Sequence, residues 1–121
     1  MKKILVAEDD KFLGNAYRVK LIKSGFEVRL VTDGDEALKI LETFTPDIIL
    51  LDLVMPIRDG FSTLTQLKAD ERFKNIPVLI ASNLGQNEDK EKGLALGAKD
   101  FITKSDISLE NLIRKINSYL H

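Results

Sequence analysis

Residues Ile48-Ile49-Leu50-Leu51 form an unbroken run of large apolar side chains that stops at Asp52. A short run without a polar interruption reads as a strand buried on both faces, the kind found at the centre of a parallel sheet, because a strand with one wet face alternates instead. Asp52 stands at the C-terminal end of that strand, the edge at which open α/β sheets hold their ligands, and a turn through Pro56 and Gly60 follows at once. Asp52 is therefore the first functional candidate. Taken alone, an aspartate in such a place is more often the cap of a loop or helix, and only other chemistry arriving at the same point overturns that reading.

The remaining strands follow from the same reasoning. Ile4-Leu5-Val6-Ala7 and Val78-Leu79-Ile80-Ala81 are continuously apolar, the first ending in Glu8-Asp9-Asp10 and the second in Ser82-Asn83. Phe101-Ile102-Thr103 is a short final strand ending in Lys104, whereas Glu27 to Val31 alternates and so predicts a half-exposed strand at a sheet edge. Helices fill the intervals. From Phe12 to about Ser24, Phe12, Ala16 and Val19 beside Leu13, Tyr17 and Leu21 predict a broad apolar stripe, with Gly25 as the stop. Gly34 to about Phe44 predicts a second helix with Ala37, Ile40, Leu41 and Phe44 inward and Pro46 closing it, and Phe61, Leu64 and Leu67 mark a third. The fourth is weak: Glu88, Asp89 and Glu91 suit its start, but Gly93 interrupts it and only Leu94, Ala95 and Leu96 can anchor it. Ser108 can cap a last helix carrying Leu109, Leu112, Ile113, Ile116 and Leu120 on one face.

Alternating strands and helices predict an α/β fold, a doubly wound parallel sheet of the flavodoxin-like (βα)5 type, since each parallel return needs a right-handed crossover. Uniformly apolar strands one, three and four belong at the centre, which gives the order 2-1-3-4-5. Strands one and three are then neighbours. Glu8 and Asp9 meet Asp52, and strands four and five bring Ser82 and Lys104 to the same edge.

Composition removes several classes of function. The 121 residues predict one domain, 1–121, and 18 basic against 19 acidic residues, a net charge of −1 with no Lys/Arg cluster, argue against binding nucleic acid or a membrane by charge. There is no cysteine, hence no disulfide and no thiolate metal site. Behind Met1-Lys2-Lys3 the apolar run reaches only from Ile4 to Ala7, too short for a signal peptide, and no run approaches transmembrane length, so a cytoplasmic protein is expected.

Three carboxylates brought close together repel unless a cation sits among them, and an all-oxygen set without His or Cys suits a hard ion such as Mg²⁺. Lys104 adds a positive charge and Ser82 a hydroxyl that can donate to an oxygen of a bound group. Acids capping helices and a lysine neutralising them would explain each residue singly, but not their convergence. Together they describe a phosphoryl site.

At these positions the chain resembles the receiver domain of two-component response regulators. The match is carried by Glu8-Asp9 in Leu5-Val6-Ala7-Glu8-Asp9-Asp10, by Leu51-Asp52-Leu53-Val54-Met55-Pro56 followed by Asp59-Gly60, by Ser82, by Phe101 in Gly97-Ala98-Lys99-Asp100-Phe101, and by Lys104. The resemblance implies a phosphorelay switch in which Asp52 accepts a phosphoryl group from a histidine kinase or histidine phosphotransfer protein. It further implies Mg²⁺ held by Asp9, Asp52 and the carbonyl of Val54, with Glu8 acting through water, and Ser82 and Phe101 as switch residues. Output would pass to a downstream protein partner or effector domain, or to a phosphorylation-dependent homodimer. A carboxylate is already ionised at neutral pH, so no histidine is needed beside it, and the lone His121 ends the chain.

Some positions depart from the family pattern. Lys104 is followed by Ser105 where proline and a cis bond are usual, and Asn83 stands where the family has alanine or glycine. Phe101 lacks a tyrosine hydroxyl and serves either as core or as switch. Val54 and Leu84, two residues beyond Asp52 and Ser82, are apolar and offer nothing to align a hydrolytic water, so slow loss of the phosphoryl group is expected. Rival classes fare worse. A haloacid-dehalogenase-type Mg-dependent phosphatase needs a second acid where this chain has Val54, which argues against a turnover enzyme, and three acids after strand one would repel a flavin phosphate. An unphosphorylated receiver-like binding module remains the main alternative.

Overall fold

A computed structural model describes residues 1–83 and 87–120; Leu84 and His121 lie outside the described residues. In chain order the elements are β1 (Lys3–Ala7), α1 (Lys11–Lys23), β2 (Glu27–Val31), α2 (Gly34–Ile40), β3 (Ile48–Leu51), α3 (Gly60–Ala69), β4 (Val78–Ser82), α4 (Asn87–Ala95), β5 (Asp100–Thr103) and α5 (Leu109–Ser118), with a 3₁₀ turn over Lys104–Asp106. The sheet is parallel throughout in the order β2-β1-β3-β4-β5. This is the flavodoxin-like arrangement, with the alternating strand β2 at one edge.

The apolar runs are continuous because both faces of the sheet are covered. Leu5, Ala7, Ile49, Leu51 and Ile80 pack with Leu64 and Leu67 of α3 on one face. Ile4, Val6, Ile48, Leu50 and Leu79 pack with Tyr17 and Leu21 of α1 and Leu112 and Ile116 of α5 on the other. Each of the leucine, isoleucine and valine side chains among these contributes about 2 kcal/mol by leaving water. Side-chain caps start four of the helices: Asp10, Asp33, Asp59 and Ser108 accept from the backbone N–H of Leu13, Glu36, Ser62 and Asn111. Each cap contributes about 1 kcal/mol.

Three expectations about the helices need correction. In α1 the buried residues are Gly14, Tyr17 and Leu21, while Phe12 is 89 % exposed and Val19 is also exposed. At 100° per residue Phe12, Ala16 and Val19 point away from Tyr17 and Leu21, so the helix is apolar on two faces and the sheet can take only one. In α4 the expected anchors Leu94 and Ala95 are exposed and the buried residue is Gly93. A Cβ there would lie 2.6 Å from Ile80 Cδ1, so the glycine does not interrupt the helix but lets its backbone rest on the sheet. Helix α2 ends at Ile40, earlier than expected, and Phe44 is buried from the turn that follows.

The loop after β3 is tightly determined. Gly60 approaches the strand end so closely that a Cβ would stand 2.2 Å from the Asp52 carbonyl oxygen. Ile57 has φ +68°, a region that costs a β-branched residue about 1–2 kcal/mol. Gly60→Ala forces backbone against backbone beside Asp52, and urea denaturation should show a loss of about 3 kcal/mol.

Candidate functional site

Register decides where the acids meet. Ala7 pairs with Leu51 across the β1–β3 ladder, so the residues one step beyond, Glu8 and Asp52, leave adjacent strands side by side. Backbone bonds hold both: the Asp52 N–H donates to the Ala7 carbonyl at 3.0 Å and the Glu8 N–H to the Val31 carbonyl at 2.9 Å. Asp9 follows on the exposed side, and one carboxylate oxygen from each of Glu8, Asp9 and Asp52 lies within 4.8 Å of the others.

Glu8 and Asp52 are only 2 % and 6 % exposed, and the neutralising charge comes from Lys104. Its ammonium donates to Glu8 Oε1 and lies 3.1 Å from Asp52 Oδ2. Burial pushes the Glu8 carboxyl up to about 7, with the Asp52 charge adding to it and the Lys104 hydrogen bond and Asp10 N–H opposing it. Burial alone would lower the Lys104 ammonium, but the Glu8 hydrogen bond and the two negative charges more than reverse this and hold it above its usual range. The resulting pocket is open, about 250 Å³, and Ser82, Asn83, Val54 and Asp10 complete its lining. Ser82 is buried at the end of β4 and Val54 is 58 % exposed at the mouth.

The donor set can be tested for a metal. Two buried carboxylates and one exposed carboxylate face a single ammonium, which leaves a local excess of negative charge, and every available ligand atom is a hard oxygen. These residues fit a hard dication.

A family model described as the response regulator receiver domain matches residues 4–117. The chain belongs to that family. It is 34 % identical over 120 residues to the DNA-binding dual master transcriptional regulator RpaA of a Synechocystis species, covering 99 % of this chain and 49 % of that protein. The chain thus spans about half the length, or less, of the curated relatives it matches. Among solved structures, the receiver domain of the Francisella response regulator 1452 superposes with a TM-score of 0.90 at 36 % identity, covering 99 % of this chain and 97 % of that one. The Mn²⁺-bound form of response regulator Rcp1 gives 0.82 at 26 % identity, covering 98 % and 91 %. The fold and the acidic pocket are those of a receiver domain of two-component response regulators.

The receiver domain brings Glu8, Asp9, Asp52, Val54, Ser82 and Lys104 around one pocket. Phe101 sits elsewhere, buried behind α4, with its ring 3.6 Å from where a Cβ of Gly93 would stand. Its side chain is packed inward, as the core reading of this position expects. None of the described peptide bonds is cis, and Lys104-Ser105 begins a 3₁₀ turn instead. Asp10 was not singled out from the sequence as a site residue; it both caps α1 and lines the pocket, and its signal was its position third in the acid run.

Raised Glu8 sets a pH dependence. Its stabilising preference for the protonated form is complete below the ordinary value of 4.5 and is lost as pH rises through about 7. In metal-free buffer the unfolding free energy from urea titrations should therefore fall across that window, and Glu8→Gln should flatten the fall.

Proposed function

We propose that this receiver domain is a phosphorelay switch whose phosphoacceptor is Asp52. The observation that carries the proposal is the Lys104 ammonium set between Glu8 and Asp52 beneath three convergent carboxylates. A carboxylate oxygen of Asp52 attacks the phosphorus of a phosphohistidine, the P–N bond breaks as the P–O bond forms, and the imidazole leaves with the electron pair. Lys104 neutralises the phosphoryl oxygens, and the Ser82 hydroxyl donates to one of them.

Asp9, Asp52 and the Val54 carbonyl would hold Mg²⁺, with Glu8 acting through water; a Mn²⁺-bound relative supports a divalent cation in such a pocket. When bound, the ion supplies charge stabilisation at the transferring phosphoryl group. The phosphodonor is a histidine kinase or histidine phosphotransfer protein, and output passes to a protein partner, an effector domain or a second copy. Residues 1–121 act as one such domain in the cytoplasm, without turnover and without direct contact to nucleic acid. Among the described residues no helix is long and apolar enough to cross a membrane. Output is best carried by α4, which rests on the sheet through Gly93 in front of Phe101, the least anchored element beside Ser82.

With Mg²⁺ and acetyl phosphate the protein should gain one phosphoryl group by intact mass, and Asp52→Ala or added EDTA should prevent it. A wild type that stays unlabelled would favour the binding-module reading. The exposed apolar Val54 offers no polar group to a hydrolytic water, so decay of the acyl phosphate is slow. Val54→Asn should shorten its half-life several-fold, followed by the same mass measurement over time.

A further inference from the structure

The second turn of α1 carries a polar group that the phosphoryl chemistry does not use. Tyr17 is 5 % exposed, and its ring packs with Ile4, Val6, Ile102 and Ile113 between the sheet and the helices α1 and α5. A buried phenol ordinarily finds a hydrogen-bond partner, as Tyr119 does by donating to Asp100 Oδ2 at 2.7 Å. The Tyr17 hydroxyl has no such partner among the described residues.

Its direction follows from the helix. Helical side chains lean toward the N-terminus of their own helix, so a phenol on the second turn of α1 reaches back to the sheet edge at which α1 begins. That edge holds the acidic pocket, which Asp10, the N-cap of α1, helps to line. Ile102 before Lys104 and Ile107 after it both pack in the same cluster as Tyr17, which puts the ring beneath the lysine. Electrostatics agree with that placement. Burial pushes the Tyr17 hydroxyl above its ordinary range, and the charges that reach it are Lys104, which opposes the rise, then Glu8, Asp52 and Asp10, which add to it.

The duties of Lys104 show when an unused donor at this place is needed. Its ammonium serves Glu8 Oε1 and Asp52 Oδ2 together, while the Asp10 N–H holds Glu8 Oε2 at 3.1 Å. A phosphoryl group on Asp52 brings roughly two negative charges and three acceptor oxygens, and the ammonium that neutralises them is drawn away from Glu8. Glu8 Oε1 then lacks a donor. Glu8 is 2 % exposed, and a buried carboxylate oxygen without a donor carries its full desolvation penalty. We propose that Tyr17 is a positioning residue for phosphotransfer, its hydroxyl donating to Glu8 Oε1 as Lys104 turns to the phosphoryl oxygens. The inference rests on Asp52 as phosphoacceptor. The phenol thereby keeps Glu8 in place while the lysine is free to follow the transferred group.

The chain has two tyrosines and no tryptophan, so Tyr119→Phe leaves Tyr17 as the sole tyrosine emitter. In that variant, Mg²⁺ with beryllofluoride, standing for the phosphoryl group, should quench the Tyr17 emission, as donation from a phenol to a carboxylate does. Mg²⁺ alone should leave most of it. Tyr17→Phe, in the otherwise unchanged chain, keeps the ring and should hold Tm within about 2 °C. It should weaken beryllofluoride binding, read from the ¹⁹F signal of the bound group, and slow labelling by acetyl phosphate, each about tenfold, while Mg²⁺ affinity stays within about twofold. Emission from Tyr17 that ignores beryllofluoride would overturn the inference, as would wild-type beryllofluoride affinity in Tyr17→Phe. An equal loss of Mg²⁺ and beryllofluoride affinity would overturn it too, since a purely structural role predicts that pattern. Either result with a wild type that acetyl phosphate still labels spares Asp52; a wild type that stays unlabelled removes the phosphoacceptor reading and this inference with it.

Discussion

The bridge made by Lys104 between Glu8 and Asp52 is the contact on which the working edge of this sheet depends. Two carboxylates leaving neighbouring strands in a buried setting repel by several kcal/mol at the reduced dielectric of a protein interior. The ammonium offsets that repulsion, and it comes from the residue just after β5, with β4 and its Ser82 lying between β5 and β3. A long side chain is needed for that reach. With Asp9 added, carboxylates outnumber the single ammonium, and their oxygens fit a hard dication.

The loops around this edge divide into a rigid side and a yielding one. The rigid side is the approach to Asp52: α1 and α3 begin on aspartate caps, Gly60 presses against the Asp52 carbonyl, and Arg58 ties the loop to α2. The yielding side is α4, whose only buried residue among those described is a glycine. Asp52 therefore sits in a frame of short caps and close backbone contacts, while α4 is weakly held. Phe101 lies under that helix, packed in the core close to Gly93.

Much of this was legible in the chain itself because burial on both faces leaves a plain mark. Ile48 to Leu51, Ile4 to Ala7 and Val78 to Ala81 could be central strands and little else, and the alternation of Glu27 to Val31 placed β2 at the edge. Once the order was known, Glu8, Asp9, Asp52, Ser82 and Lys104 had to share one edge, since in a parallel sheet every strand ends on the same side. The family motif rests on those same positions, which is why the pocket and the fold could be named together.

What periodicity could not resolve was which of two competing apolar faces would be buried, and where the backbone would be bent against its preference. Phe12 and Leu94 carry as much apolar surface as residues that went inside, and only the packing of α1 and α4 on the sheet left them in water. Gly93 read as a helix breaker, yet its missing side chain is what lets α4 approach Ile80. Ile57 gives no local hint of a positive φ, because that angle is imposed by Arg58, Gly34 and Gly60 through contacts distant in sequence. Strand identity is a local property of hydrophobic pattern and was readable for that reason; helix orientation and loop strain are set by long-range fit, and they emerged only when the elements were packed.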